Sequence, residues 1–131
     1  MLKIRAEQMA VFQASAERSL VLRIADHLQA VHSEWAQGLD EDSLLEMVEN
    51  GIARGRRYGL TFESSLTQFV VLMVVIGPNF DEHPAVWAVL TDESIAPNER
   101  VDGLILHLTQ RDWQQARAAA DPMQWFAAPV N

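Results

Sequence analysis

The chain has 131 residues, 49% of them hydrophobic, no cysteine and a formal charge of −8. That length suits a single domain spanning residues 1–131, and the apolar fraction excludes a disordered acidic tail. The missing Cys excludes disulfides, thiolate metal sites and thiol nucleophiles, and fits a reducing cytoplasm.

The charge is unevenly placed. Residues 1–60 hold seven basic against nine acidic side chains, and residues 61–131 hold three against nine. Clustered phosphate contacts need the reverse balance, so nucleic acid and an anionic membrane surface are disfavoured as partners. A basic protein partner is compatible, because complementary fields speed encounter. No secretory signal is read in residues 1–8, where charges precede any apolar stretch. The longest apolar run, Phe69 to Ile76, has eight residues, against the ~20 that a bilayer span requires.

The hydrophobic periodicity is helical along nearly the whole chain. Met9, Phe12, Ala16, Leu20, Ile24, Leu28 and Val31 step by three or four, predicting a long first helix over about 5–33. Val11 and Leu22 fall on its polar side, as idle surface residues or as a second contact face. Gly38 ends this segment, and Asp40, Glu41 and Asp42 open a second helix over about 42–57 that buries Leu45, Val48 and Ile52. Gly59 follows as a left-handed C-cap. Gly51 and Gly55 share one face, which suits close approach of another helix. Thr61 reads as the N-cap of a third helix over about 62–76. Its β-branched second half is also compatible with a strand, but no second strand exists to pair with it, and the predicted state is an apolar central helix.

Gly77, Pro78 and Asn79 then force a loop. Pro84 starts a short helix over about 84–91, with Val86, Trp87 and Leu90 inward. Pro97 starts the last main helix over about 97–119, with Val101, Leu104, Ile105 and Leu108 inward. Asp121 and Pro122 end it ahead of an aromatic tail over 123–131. The predicted fold is all-α, a compact bundle of about five helices with a long first helix and a buried apolar third.

Catalytic signatures are missing from this pattern. His27 and His32 are five apart and diverge on a helix, so they do not form a chelating i, i+4 pair; His27 is expected half-buried on the apolar stripe. No His-Glu-x-x-His, Gly-x-Ser-x-Gly or phosphate-cradling Gly-rich loop occurs. No catalytic, cofactor-binding or metal-binding residue is therefore assigned, and no cofactor is expected. The candidates are contact residues. Arg54, Arg56 and Arg57 concentrate positive charge, either to grip an anionic group on a partner or to complement the helix C-terminus. Asn79, Phe80 and Asp81 belong to a Pro-bounded loop suited to partner contact, unless Phe80 packs back on the core. Trp125 and Phe126 either cap the chain's own core or serve as anchors for a partner's groove.

Several blocks together resemble a family of small helical proteins encoded beside type VI secretion effectors. They are Lys3 to Met9, Gly51 to Thr61, Met73 to Asp81, and Pro84 to Trp87. The likeness spans residues 3–110. Members tend to carry a Phe-Pro pair after the first helix, where this chain has His32-Ser33-Glu34-Trp35. The resemblance implies a non-catalytic co-chaperone or adaptor that binds a secreted toxin effector or its chaperone, with no catalytic residues to transfer. An immunity protein that neutralises a basic toxin is the first alternative, and a small enzyme using unpatterned carboxylates the second.

Overall fold

The computed structural model describes residues 6–126; the predicted helix start at Arg5, the block residues Lys3 to Arg5 and tail residues 127–131 lie outside them. The described residues are all-α, with seven α-helices, three 3-10 turns and no strand. Seven replaces the expected five because the predicted last helix is divided and an extra one-turn helix follows the first. None of these helices is long and apolar enough to cross a membrane.

The first helix, α1 (Ala6–Val31), is about 39 Å long at 1.5 Å per residue. Its buried residues begin only at Leu20 and continue through Val21, Ile24, Ala25 and Leu28. The inward stripe expected from Met9 therefore holds only in the second half: Met9, Phe12, Ala16 and Val31 are exposed, Phe12 at 63%. Followed back from Leu20, the buried line meets Glu17, Gln13 and Ala10, which are polar or small. Val11 and Leu22 are also exposed, Val11 the more so. His32 leaves helical geometry (φ −120°, ψ 45°), and the one-turn α2 (Ser33–Ala36) follows. One histidine expectation is corrected, that of a half-buried His27. His27 is exposed, and its ring meets that of His32 edge-on with centroids 6.3 Å apart.

The third helix, α3 (Glu41–Arg56), starts on Asp40 and carries Glu41 and Asp42 in its first turn. It packs between α1 and α4 (Glu63–Val75). Gly51 and Gly55 make the α3–α4 approach possible. A Cβ on Gly51 would stand 2.9 Å from Val70 Cγ2, and one on Gly55 3.1 Å from Leu66 Cδ2. Gly59 takes φ +83° just past α3, a left-handed conformation that favours glycine. The expected Thr61 cap is not formed. Asn98, arriving from a distant turn, accepts from both the Thr61 and Phe62 amides at 2.9 Å and donates to Thr61 Oγ1. α4 is helical throughout, yet it is not buried all round: Val71, Leu72 and Val74 are half-buried and Val75 is exposed.

A 3-10 turn over Phe80–Glu82 leads into α5 (Pro84–Leu90). α5 buries Val86, Val89 and Leu90 but leaves Trp87 55% exposed, against the expectation. The predicted last helix divides into a 3-10 turn at Pro97–Glu99, α6 (Arg100–His107) and α7 (Gln110–Ala118). The division lies at Thr109, which forms a reciprocal capping box: its Oγ1 accepts from the Asp112 amide and Asp112 Oδ2 accepts from the Thr109 amide. Ile105 is 75% exposed, against the expected inward position. A final 3-10 turn spans Pro122–Trp125. One hydrophobic cluster joins all the long elements, centred on Ile24, Leu28, Val48, Ile52, Phe69, Val70, Phe80 and Leu104.

Candidate protein-binding surface

The three arginines of the α3 end have three different fates. Arg54 is buried, and its Nε donates to Asp81 Oδ1 at 2.8 Å. Its Nη2 also lies 3.6 Å from Glu82 Oε1. Arg56 reaches back to α1, donating from both terminal nitrogens to Glu17 at 2.7 and 2.8 Å. Hydrogen bonding to Arg56 holds the Glu17 carboxyl below its ordinary range. Arg57 is exposed and forms no ion pair among the described residues.

The second oxygen of Asp81 accepts from the Tyr58 hydroxyl at 2.5 Å, so both carboxylate oxygens are engaged. Burial, and then this bond, push the Tyr58 phenol well above its ordinary range. Arg100 adds a further tie, donating from Nη1 to the Tyr58 carbonyl at 3.0 Å. No buried side-chain polar atom among the described residues lacks a partner. Arg54, Tyr58 and Asp81 thus form an internal, fully satisfied lock between α3 and the loop after α4. The expectation of Arg54 and Asp81 as contact residues is corrected accordingly.

Phe80 packs inward against Phe69, with ring centroids 5.0 Å apart, and is buried. The loop contact proposed for it is replaced by a core role. Asn79 is half-buried and ties its loop to the segment after α7: Nδ2 donates to the Ala119 carbonyl, and Oδ1 accepts from the Asp121 amide. Trp125 is 6% exposed and tilts against Trp35 with centroids 5.4 Å apart, while its carbonyl accepts from Asn50. It caps its own core and is not available as a partner anchor. Phe126 beside it is 48% exposed. The accessible candidates are therefore Arg56, Arg57 and Phe126.

Two apolar surfaces stand outside the residues singled out from the sequence. The first is the leading half of α1, where every residue from Ala6 to Ala16 is exposed, including Met9, Val11 and Phe12. The second is a groove of about 570 Å³ between α4 and α6, floored by Val71, Leu72, Val101 and Ile105. Its rim carries Glu63 and Asp102, with His27 of α1 at one side. Glu63 is already held by Arg23 at 2.6 Å, a contact that keeps its carboxyl below the usual range. The signal for the groove was present in the run Leu104-Ile105-Leu106: three consecutive apolar residues cannot all face one side of a helix. Among the described residues no group of three or more His, Asp or Glu side chains is placed to hold a metal ion. In comparisons with known proteins, the chain matches no family model, no curated protein and no solved structure.

Proposed function

We propose that the chain is a non-catalytic, cytoplasmic protein-binding co-chaperone or adaptor that helps assemble or stabilise a type VI secretion effector complex. The observation that carries the binding role is the leading half of α1. It is helical from Ala6, yet it offers Met9, Val11 and Phe12 to solvent instead of to the bundle. An exposed helical segment anchored to the bundle through Leu20 to Leu28, with Met9 and Phe12 one turn apart, suits insertion into a partner's apolar groove. The partner class comes from the family resemblance carried by Gly51 to Thr61 and Met73 to Asp81. The acidic second half of the chain favours rapid encounter with a basic effector or adaptor.

Co-expression with the products of neighbouring genes tests this reading. The effector and its adaptor should co-purify with the chain and fall out of solution without it. Met9→Asp combined with Phe12→Asp should abolish capture while leaving the melting temperature unchanged, since both side chains are exposed. An effector that stays soluble and is secreted normally without the chain would sink the co-chaperone role. Protection of toxin-exposed cells by the chain alone would replace it with an immunity role.

A further inference from the structure

We propose that the α4–α6 groove is a docking site for a short amphipathic helix of a protein partner, bearing a basic residue that meets Asp102. This deepens the protein-binding reading above and rests on it, but it assigns a second, separate surface. The floor is apolar on both walls, with Val71 and Leu72 from α4 and Val101 and Ile105 from α6. Ile105 is 75% exposed although its neighbours Val101 and Leu104 are buried. α6 therefore carries one apolar face for the core and a second for something else.

The shape and chemistry select the occupant. Positions Ser64 to Leu72 of α4 line the groove, about 12 Å of helix, which matches two turns of a ligand helix. An added β-strand needs an open sheet edge, and the described residues contain no strand. A polyproline segment needs aromatic walls, and among the described residues no Phe, Tyr or Trp lines the groove. A helix with two or three apolar anchors fits what remains.

Charge sets its polarity. Of the two rim carboxylates, Glu63 is occupied by Arg23, whereas Asp102 forms no ion pair among the described residues. One uncompensated negative charge stands beside an apolar floor, so a Lys or Arg one turn from the anchors is favoured and an acid is repelled. The exposed leading half of α1 in a second copy, Ala6 to Ala16, has Glu7 as its charged residue, so that segment does not supply the basic group.

The test uses the full chain and fluorescein-labelled, helix-stapled peptides of about 14 residues, with Leu at i, i+3 and i+7. One peptide carries Lys a turn from the anchors, and its twin carries Glu there. By fluorescence anisotropy the Lys peptide should bind about tenfold more tightly than the Glu peptide. Ile105→Glu should remove binding of both, and Asp102→Lys should reverse the preference. Both positions are exposed, and urea unfolding of each variant checks that the fold is retained. Equal binding of the two peptides, or binding that survives Ile105→Glu, overturns the proposal. A concentration-dependent dimer in sedimentation that Ile105→Glu dissolves also overturns it, in favour of self-association. The Met9→Asp/Phe12→Asp variant should still bind the Lys peptide, so failure of the α1 reading and failure of the groove are separately visible.

Discussion

Arg54 and Asp81 meet at 2.8 Å inside the bundle although 27 positions separate them. The pair ties the last turn of α3 to the 3-10 turn after α4, and Tyr58 completes it from the other side. Burying two ions is costly, and their attraction offsets that cost only while both are present. Asp81→Ala should therefore cost about 3–5 kcal/mol, because it strands a buried guanidinium and removes the acceptor of the Tyr58 hydroxyl. The double change Arg54→Met with Asp81→Leu should cost clearly less than Asp81→Ala alone. Urea unfolding of the single and double variants measures both. If the double variant is the less stable, the pair contributes net stability, contrary to this account.

Tyr58 gives the same cluster a signature in alkali. An unfolded tyrosine ionises near pH 10, and burial with the Asp81 bond raises the folded value above that. Between the two values the unfolded chain loses a proton that the folded chain keeps. The contribution of Tyr58 is thus complete below about pH 10 and is lost as pH rises through that window. Tyr58→Phe should flatten this alkaline fall in stability. Tyr58 is the only tyrosine in the sequence, so tyrosinate absorbance reports on it directly. Ionisation near pH 10 in the native protein would show that the phenol is not held as described.

The all-α class and the α3–α4 contact were legible because they depend on local pattern: periodicity, and two glycines one turn apart. The helix starts show where local reading ends. Thr61 is a plausible cap by residue type, but the amides are capped by Asn98, whose proximity depends on the tertiary fold. Thr109 and Asp112 do carry a local stop signal, and the apolar steps through Leu104 and Leu108 masked it. The candidate surface was harder still. Arg54 and Arg57 are three apart in one sequence cluster, yet one is buried in a lock and the other is free on the surface. Residue type sets what each can bond to, but only packing decides whether a partner protein can reach it.

The tail separates into two residues with opposite expectations. Trp125 is buried against Trp35, and its carbonyl is tied to Asn50 on α3. Trp125→Ala should cost about 3 kcal/mol, the lower part of the range for truncating a buried aromatic. Phe126→Ala should cost clearly less than Trp125→Ala, since about half of the residue is in solvent. Any loss of effector binding by Phe126→Ala at unchanged stability would then be a direct contact effect. Similar losses of stability from the two variants would contradict the assignment of Trp125 alone to the core.

Glycine-to-alanine changes should have opposite signs at two positions, for reasons visible in the packing. At Gly51 a Cβ would lie 2.9 Å from Val70 Cγ2 and 3.2 Å from Met73 Sδ. The Met73 side chain can adjust, but Val70 is β-branched and has few rotamers open to it in a helix. Overpacking of this kind costs ~1–3 kcal/mol, against ~1 kcal/mol gained in helix propensity. Gly51→Ala should come out destabilising by about 1 kcal/mol. At Gly38 a Cβ meets nothing within 4 Å. Its φ is not positive either, unlike those of Gly59 and Gly77. Gly38→Ala should stabilise the protein by about 0.4–1 kcal/mol, by narrowing the unfolded ensemble. Denaturant midpoints with unchanged slopes test both, and a Gly51→Ala protein more stable than the parent would mean that α3 and α4 have room to separate.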